Sequence, residues 1–285
     1  MAIFPQINSN LILTQLPYSA GVAFETVATD METGMRWSFP RRGGGISGYP
    51  GSALGRFGIN FSSITDSEVD VLESFFESMR GRWAKFSLLD PGGNLVQHSE
   101  DYSEAYWNKS NGPVTIGGTG ITDPFGGTLA TALVGNGSNA YIMGLVGPSA
   151  GGINGYRLCA STWAKTPDSG IQLMIGFMNS TGTVFRSTTW DLPPNKWIRI
   201  YHSETMWDTN SFRVIIGGLN TWASGRTINL FGAQVAAMKG EGAYVRSPDR
   251  WGYHEYCRFD VDAFSRRVLG PNQNAVNLPI VEVNG

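Results

Sequence analysis

Few residues in this chain are arranged to do chemistry. The three histidines, His98, His202 and His254, share no motif, and HExxH and P-loop patterns are missing. "GGISGYPG" is glycine-rich, but it lacks the Lys-Ser/Thr and the strand–helix setting of a phosphate loop. Glu100-Asp101 is a carboxylate pair of the type that cleaves glycosidic bonds; the simpler reading is that it caps a turn or bonds backbone. Glu100, Asp101 and Asp123 are candidate calcium ligands, but no dense Asp/Asn array accompanies them, and neither a metal nor another cofactor is assigned. Cys159 and Cys257 form no CxxC and have no histidines at zinc spacing. They read as small buried hydrophobes in strands, with a disulfide as the alternative. Trp190, Trp207 and Trp222 lie near expected loops. An exposed indole stacks on the apolar C–H face of a sugar, so these three are the candidate glycan-binding residues. Trp107, Trp163 and Trp197 read as core. No catalytic set emerges, and the chain is not expected to be an enzyme.

The scaffold for these residues follows from composition. A length of 285 residues fits one large domain or two ordinary ones. A hydrophobic share of 41% supplies real cores, while a charged share of 15% is low. The 37 glycines and many aromatics favour short strands joined by tight turns. The expected class is mainly β. The formal charge of −2, with no long basic block, gives nucleic-acid binding no electrostatic support. The N-terminus is a poor signal peptide, and no apolar run approaches the roughly 18–20 residues that span a bilayer. The chain is expected to be made in a cytoplasm, then kept there or exported by lysis or assembly.

Residues 1 to about 60 alternate strands, "LILTQLPY", "VAFETVAT", "GMRWSFP" and "RFGINFSSI", with a long Gly-rich loop at 41–55. One helix is marked strongly. Thr65 and Glu68 form a capping box, and Val69, Leu72, Phe75, Phe76 and Met79 recur at helical spacing. Arg80 closes the last turn and Gly81 suits the position just past the end. Burying that face contributes about 10 kcal/mol gross. A strand in "RWAKFSLLDPGG" follows. From Asn94 charge drops, and nine strands are expected between Val114 and Met238, enough for a two-sheet sandwich. After Met238 charge returns, and a short strand is expected beyond Pro279. This last stretch is too short for a domain and reads as the returning half of the first one.

The N-terminal part resembles phage tail proteins of the distal-tail type. The matching positions are Phe4-Pro5, Arg36-Trp37 with Pro40, Phe75-Phe76, Arg80-Gly81, Phe86 and Asp90-Pro91, and "CRFDVDAF…NLPIVEV" looks like that family's last strands. The Gly-rich loop departs from the pattern. The middle is similar to jelly-roll, carbohydrate-binding-like modules of phage tail and fibre proteins. It matches at Asn94-Leu95, Ser99 to Ser103, Trp107, Asp123-Pro124 with Gly126-Gly127, Trp197-Ile198-Arg199 and Gly232-Ala233-Gln234-Val235. The resemblances imply a belt domain, 1–93 and 246–285, interrupted by a jelly roll at 94–245. They also imply a virion protein in a homo-oligomeric ring, a hexamer, that joins the tail tube protein to the tip or hub protein, with host-surface polysaccharide as a further partner. A stand-alone glycan-binding adhesin or tail fibre protein is the alternative.

Overall fold

The computed structural model describes residues 2–7, 11–14, 24–30, 35–40, 56–90, 92–109, 114–137, 140–146, 153–179, 181–182, 185–207, 211–218, 222, 225–247 and 252–283. The expected Gly-rich loop at 41–55 lies outside them. The chain divides into two compact units, 1–92 with 253–285, and 93–252.

Unit 1 holds β1 (Ala2–Ile3), β2 (Leu11–Thr14), β3 (Phe24–Asp30), β4 (Met35–Pro40), β5 (Arg56–Ile64), α1 (Asp66–Ser78), β6 (Phe86–Leu89), β16 (Tyr253–Phe259), β17 (Arg266–Gly270) and β18 (Gln273–Glu282). Between them, unit 2 holds β7 (Val114–Ile121), β8 (Ala130–Gly135), β9 (Ala140–Val146), β10 (Arg157–Lys165), β11 (Ile171–Asn179), β12 (Phe185–Leu192), β13 (Ile198–Thr205), β14 (Phe212–Gly218) and β15 (Thr227–Ala236). These are the nine strands expected between Val114 and Met238.

In unit 1 the main sheet runs β1-β6-β16-β18-β5-β2, with β17 paired to β18, and β3 and β4 form a hairpin. Period-2 alternation puts Phe57, Ile59 and Phe61 of β5 on the core side, where they meet Val69, Leu72 and Phe76 of α1. Phe75 and Met79 pack half-buried on the same cluster. The capping box forms: Thr65 Oγ1 accepts from Glu68 N, and Glu68 Oε2 accepts from Thr65 N at 2.9 Å. The other end differs from expectation. The helix stops at Ser78, Met79 is the cap, and Arg80 rather than Gly81 takes the first left-handed position, with φ 51. Arg80 N donates to Glu77 O and Gly81 N to Phe76 O, satisfying two terminal carbonyls. Gly81 follows with φ +58.

The last strand also departs from expectation. It begins at Gln273 and runs through Pro279, which pairs with Gly58. Pro279 O accepts from Asp260 N at 2.8 Å, and the carbonyl and nitrogen of one strand residue face the same side. The missing N–H therefore faces the β16 side, where the ladder has already ended at Phe259↔Ile280.

The signals scattered along unit 1 converge on one stack of rings. Phe259 lies 4.8 Å from both Phe76 and Phe86 and 6.3 Å from Phe4, and Phe4 lies 5.6 Å from Phe75. Cys257 is buried nearby as a free thiol, and Cys159 is likewise free and buried in unit 2, so the disulfide alternative fails.

Unit 2 is a β-sandwich. One sheet runs β13-β10-β15-β8-β7 and the other β12-β11-β14-β9. Leu158, Ala160, Ile200, Ile228 and Leu230 from the first, and Leu173, Ile175, Phe177, Ile216 and Ile142 from the second, are fully buried. The segment from Asn94 to Lys109 belongs here, with Leu95, Val96, Tyr102 and Trp107 buried and Tyr102 Oη bonded to Thr162 Oγ1 at 2.7 Å. The bounds exceed the expected 94–245. Asn94 Nδ2 donates to Ala233 O and Val245 O, Ser99 and Ser247 exchange hydrogen bonds, and Gly252 N donates to Asn94 O at 3.0 Å. The two ends of unit 2 are thus bonded to each other. In unit 1, the strands that flank the interruption are antiparallel partners, with Leu89 opposite Tyr253.

Candidate functional site

The outer face of the five-stranded sheet carries a row set by register: Arg199 of β13, Trp163 of β10 and Phe231 of β15 lie opposite one another. Trp163, expected in the core, is half-buried on this face. Between Ser161 and Trp163 the β15 partner gains one residue, and Gly232 takes φ +66 there. A Cβ at Gly232 would stand 3.0 Å from the Trp163 ring, so this position needs glycine for both backbone and space. The bulge turns Ala233 N to Ser99 O. The Gly-Ala-Gln-Val signal is therefore a structural device.

Arg199 organises the row. Its guanidinium carbon lies 4.5 Å over the Trp163 ring, Nη1 donates to Gly242 O, and Nη2 donates to Ser161 Oγ and Gln234 Oε1, both at 3.0 Å. Glu241 pairs with Nε at 3.4 Å. Tyr244 stands edge-on to Trp163 at 5.3 Å, and burial pushes its phenol up from 10.0.

Phe125 completes the cluster from the loop between β7 and β8. Asp123 holds this loop from within: Oδ1 accepts from Phe125 N at 2.8 Å and Gly127 N at 3.1 Å, and Oδ2 accepts from Leu129 N at 3.4 Å. The Phe125 ring lies 5.3 Å from Trp163 and 5.9 Å from Phe231, yet its side chain remains 68% exposed. Leu129 of the same loop is 49% exposed. A large apolar side chain held rigid in water is pre-organised to bind. It can lay a flat apolar face on a sugar ring or on another protein. Sequence reading missed Phe125, because neither its exposure nor its ring partners, 38 and more residues away, are local properties.

The three candidate tryptophans sit elsewhere. Trp222 is 0% exposed and its Nε1 donates to Arg226 O, so it fills the interior and cannot stack on a ligand. Proximity to a loop in sequence was a poor guide to exposure there. Trp190 and Trp207 lie along the seam where edge strands β12 and β13 close the sandwich. Trp190 Nε1 donates to Tyr201 O, Thr188 bonds His202 Nδ1 at 2.9 Å, and Arg186 pairs with Glu204 at 3.1 Å. Trp207 lies 4.5 Å under the Arg186 guanidinium and edge-on to Phe212. Both indoles are half-buried with ring surface already engaged.

The carboxylates are likewise occupied. Glu100 pairs with Arg246 at 2.8 Å, Asp101 accepts from Ser103 N at 2.9 Å, and Asp123 holds its loop. Main-chain carbonyls of Tyr102, Ser103, Glu104 and Trp107 converge on Lys109 Nζ at 2.8–3.2 Å, so an ammonium sits where such oxygens commonly gather a cation.

No family model and no curated protein matches the chain. Among solved structures it is similar to the C-terminal family 22 carbohydrate-binding module of Clostridium thermocellum Xyn10B, at 17% identity and a TM-score of 0.41 over 55% of this chain and 99% of that one. A family 16 carbohydrate-binding module matches at 13% identity and a TM-score of 0.37 over 50% and 99%. Tailspike protein 4 of bacteriophage CBA120 matches at 15% and 0.36, over 53% of this chain and 22% of that one. TM-scores this low carry no argument, and the sandwich assignment rests on the strand order above.

Proposed function

We propose that this chain is a structural protein of a phage tail, of the distal-tail kind. Unit 1 builds a closed ring, a hexamer, between tail tube and tip. Unit 2 is a jelly-roll module carried on that ring to bind host-surface polysaccharide. The protein is made in the host cytoplasm and resides in the virion, and it acts by binding rather than by catalysis. The observation that carries this reading is the interruption itself. β6 and β16 are paired neighbours, so the sheet of unit 1 runs on across the point of interruption. A module spliced at such a point is displayed by its host. The ordered motifs of both units support the same reading, and the rigid Phe125 surface supplies unit 2 with a contact face.

Two experiments test it. Immunogold labelling of virions should mark the tube–tip junction, and label found only elsewhere removes the distal-tail role. Affinity electrophoresis through gels containing host polysaccharide should retard the protein. Phe125→Ala should abolish that retardation without moving the melting temperature, because the ring is 68% exposed. Since Phe125 lies wholly within unit 2, retardation without virion labelling favours the stand-alone adhesin. Release of reducing sugar would instead indicate a depolymerase.

A further inference from the structure

Unit 1 carries two features that its own stability does not explain. The first is Trp83, 86% exposed just after α1. The turn that bears it is fixed: Trp83 N donates to Arg80 O, Ala84 N donates to Met79 O, and Arg82 is tied to Asp260 O and to the Asp262 carboxylate at 3.2 Å. The indole is thus held out into water, flanked by the exposed cations Arg80 and Lys85. The second is the charge on α1. The helix carries Asp66, Glu68, Asp70, Glu73 and Glu77 and no cation. Asp66 and Glu68 serve the N-terminus, but Glu77 lies in the last turn, where negative charge opposes the dipole. Asp70, Glu73 and Glu77 share a stripe by their i, i+3, i+7 spacing, and Val71, about 100° round the helix from Asp70, is 49% exposed.

We propose that the Trp83 turn of one copy seats on the α1 stripe of the next, with Trp83 against Val71 and Arg80 and Lys85 against the carboxylates. This deepens the ring reading and rests on it. Knob and seat are complementary in charge and in apolar surface, and Trp83 is not seated on its own helix. An interface that joins two different patches is head-to-tail, the kind that closes into a ring. Trp and Arg are also the residue types that dominate interface energetics.

The test uses the intact chain in size-exclusion chromatography with light scattering, at low and at high ionic strength. Wild type should assemble, more strongly at low salt. Trp83→Ala should weaken assembly by about 30-fold, as expected for a central aromatic anchor. Glu77→Lys should also weaken it. Because that change relieves the helix dipole, its melting temperature should hold or rise, which separates lost docking from lost folding. Separate preparations of Ser74→Cys and Ala84→Cys, which leave Trp83 and Val71 in place, should cross-link when mixed under oxidation, since both natural cysteines are buried. If wild type assembles while the variants assemble equally well and no cross-link forms, the interface lies elsewhere and the ring reading survives. A chain that stays monomeric and uncross-linked at all concentrations overturns both, and capture by an acidic tail protein alone would identify a different occupant.

Discussion

In unit 1 a stack of phenylalanines, Phe4, Phe75, Phe76, Phe86 and Phe259, joins the chain's start, its helix and the strands on either side of the interruption, within a core that also holds aliphatic residues of β5, α1 and β18. Unit 2 has a mixed aliphatic and aromatic core between two sheets, and its ends are closed by buried polar side chains. Asn94 is 0% exposed and makes four bonds, donating to Ala233 O and Val245 O and accepting from Val96 N and Val235 N. Ser99, Ser247 and Tyr244 extend this clamp. The difference teaches how an insertion is tolerated. The host joins its two chain pieces through strand pairing and shared ring packing, and the guest joins its own two ends through buried side-chain hydrogen bonds.

The most severe way to break this comparison is to remove the guest. Joining Gly92 to Tyr253 through a short Gly/Ser linker should leave unit 1 with near-UV circular dichroism and a cooperative melt, because Leu89 and Tyr253 are already partners. An unfolded product would mean that the host depends on its guest. Phe259→Ala should destabilise unit 1 by about 3–5 kcal/mol through cavity formation and leave the unit 2 transition in place. Calorimetry of the intact chain reads both transitions at once. Asn94→Ala should do the reverse, costing unit 2 about 3 kcal/mol by orphaning buried backbone groups.

The smallest effect is expected from His202. Burial holds its imidazole below the ordinary 6.5, against the opposing pull of Glu204. Phe177, Thr188 and the Arg186–Glu204 pair surround it in the seam. The fold therefore favours neutral His202, and the unfolded chain takes up a proton first as pH falls. The unit 2 transition should drop from about pH 6.5 downward, until the folded imidazole itself protonates. His202→Gln should flatten that slope; an unchanged slope would place the titrating group elsewhere.

Much of this was legible in the chain itself, and the reason is locality. The helix declared itself through Thr65, Glu68 and a 3.6-residue apolar period. The nine strands of unit 2 declared themselves as short strand-like segments separated by turn residues, since both signals act over a few neighbours. Even the break at Asn94 was visible as a change of texture. Tertiary structure alone decided the rest. Trp222 reads like a loop residue but is fully buried, with its Nε1 bonded to Arg226 O. Pro279 reads like a strand stop but lies mid-strand, because the neighbouring ladder ends where its N–H would be needed. Arg199 and Asn94 stand out in the sequence only as motif positions, yet the partners named for their side chains, Val96 apart, lie 35 to 151 residues away. Phe125 stays in water and Trp163 lies beneath it because a bulge at Gly232 and a carboxylate at Asp123 set two segments side by side. Non-local hydrogen bonds and packing fix exposure, and exposure determines which aromatics meet a ligand.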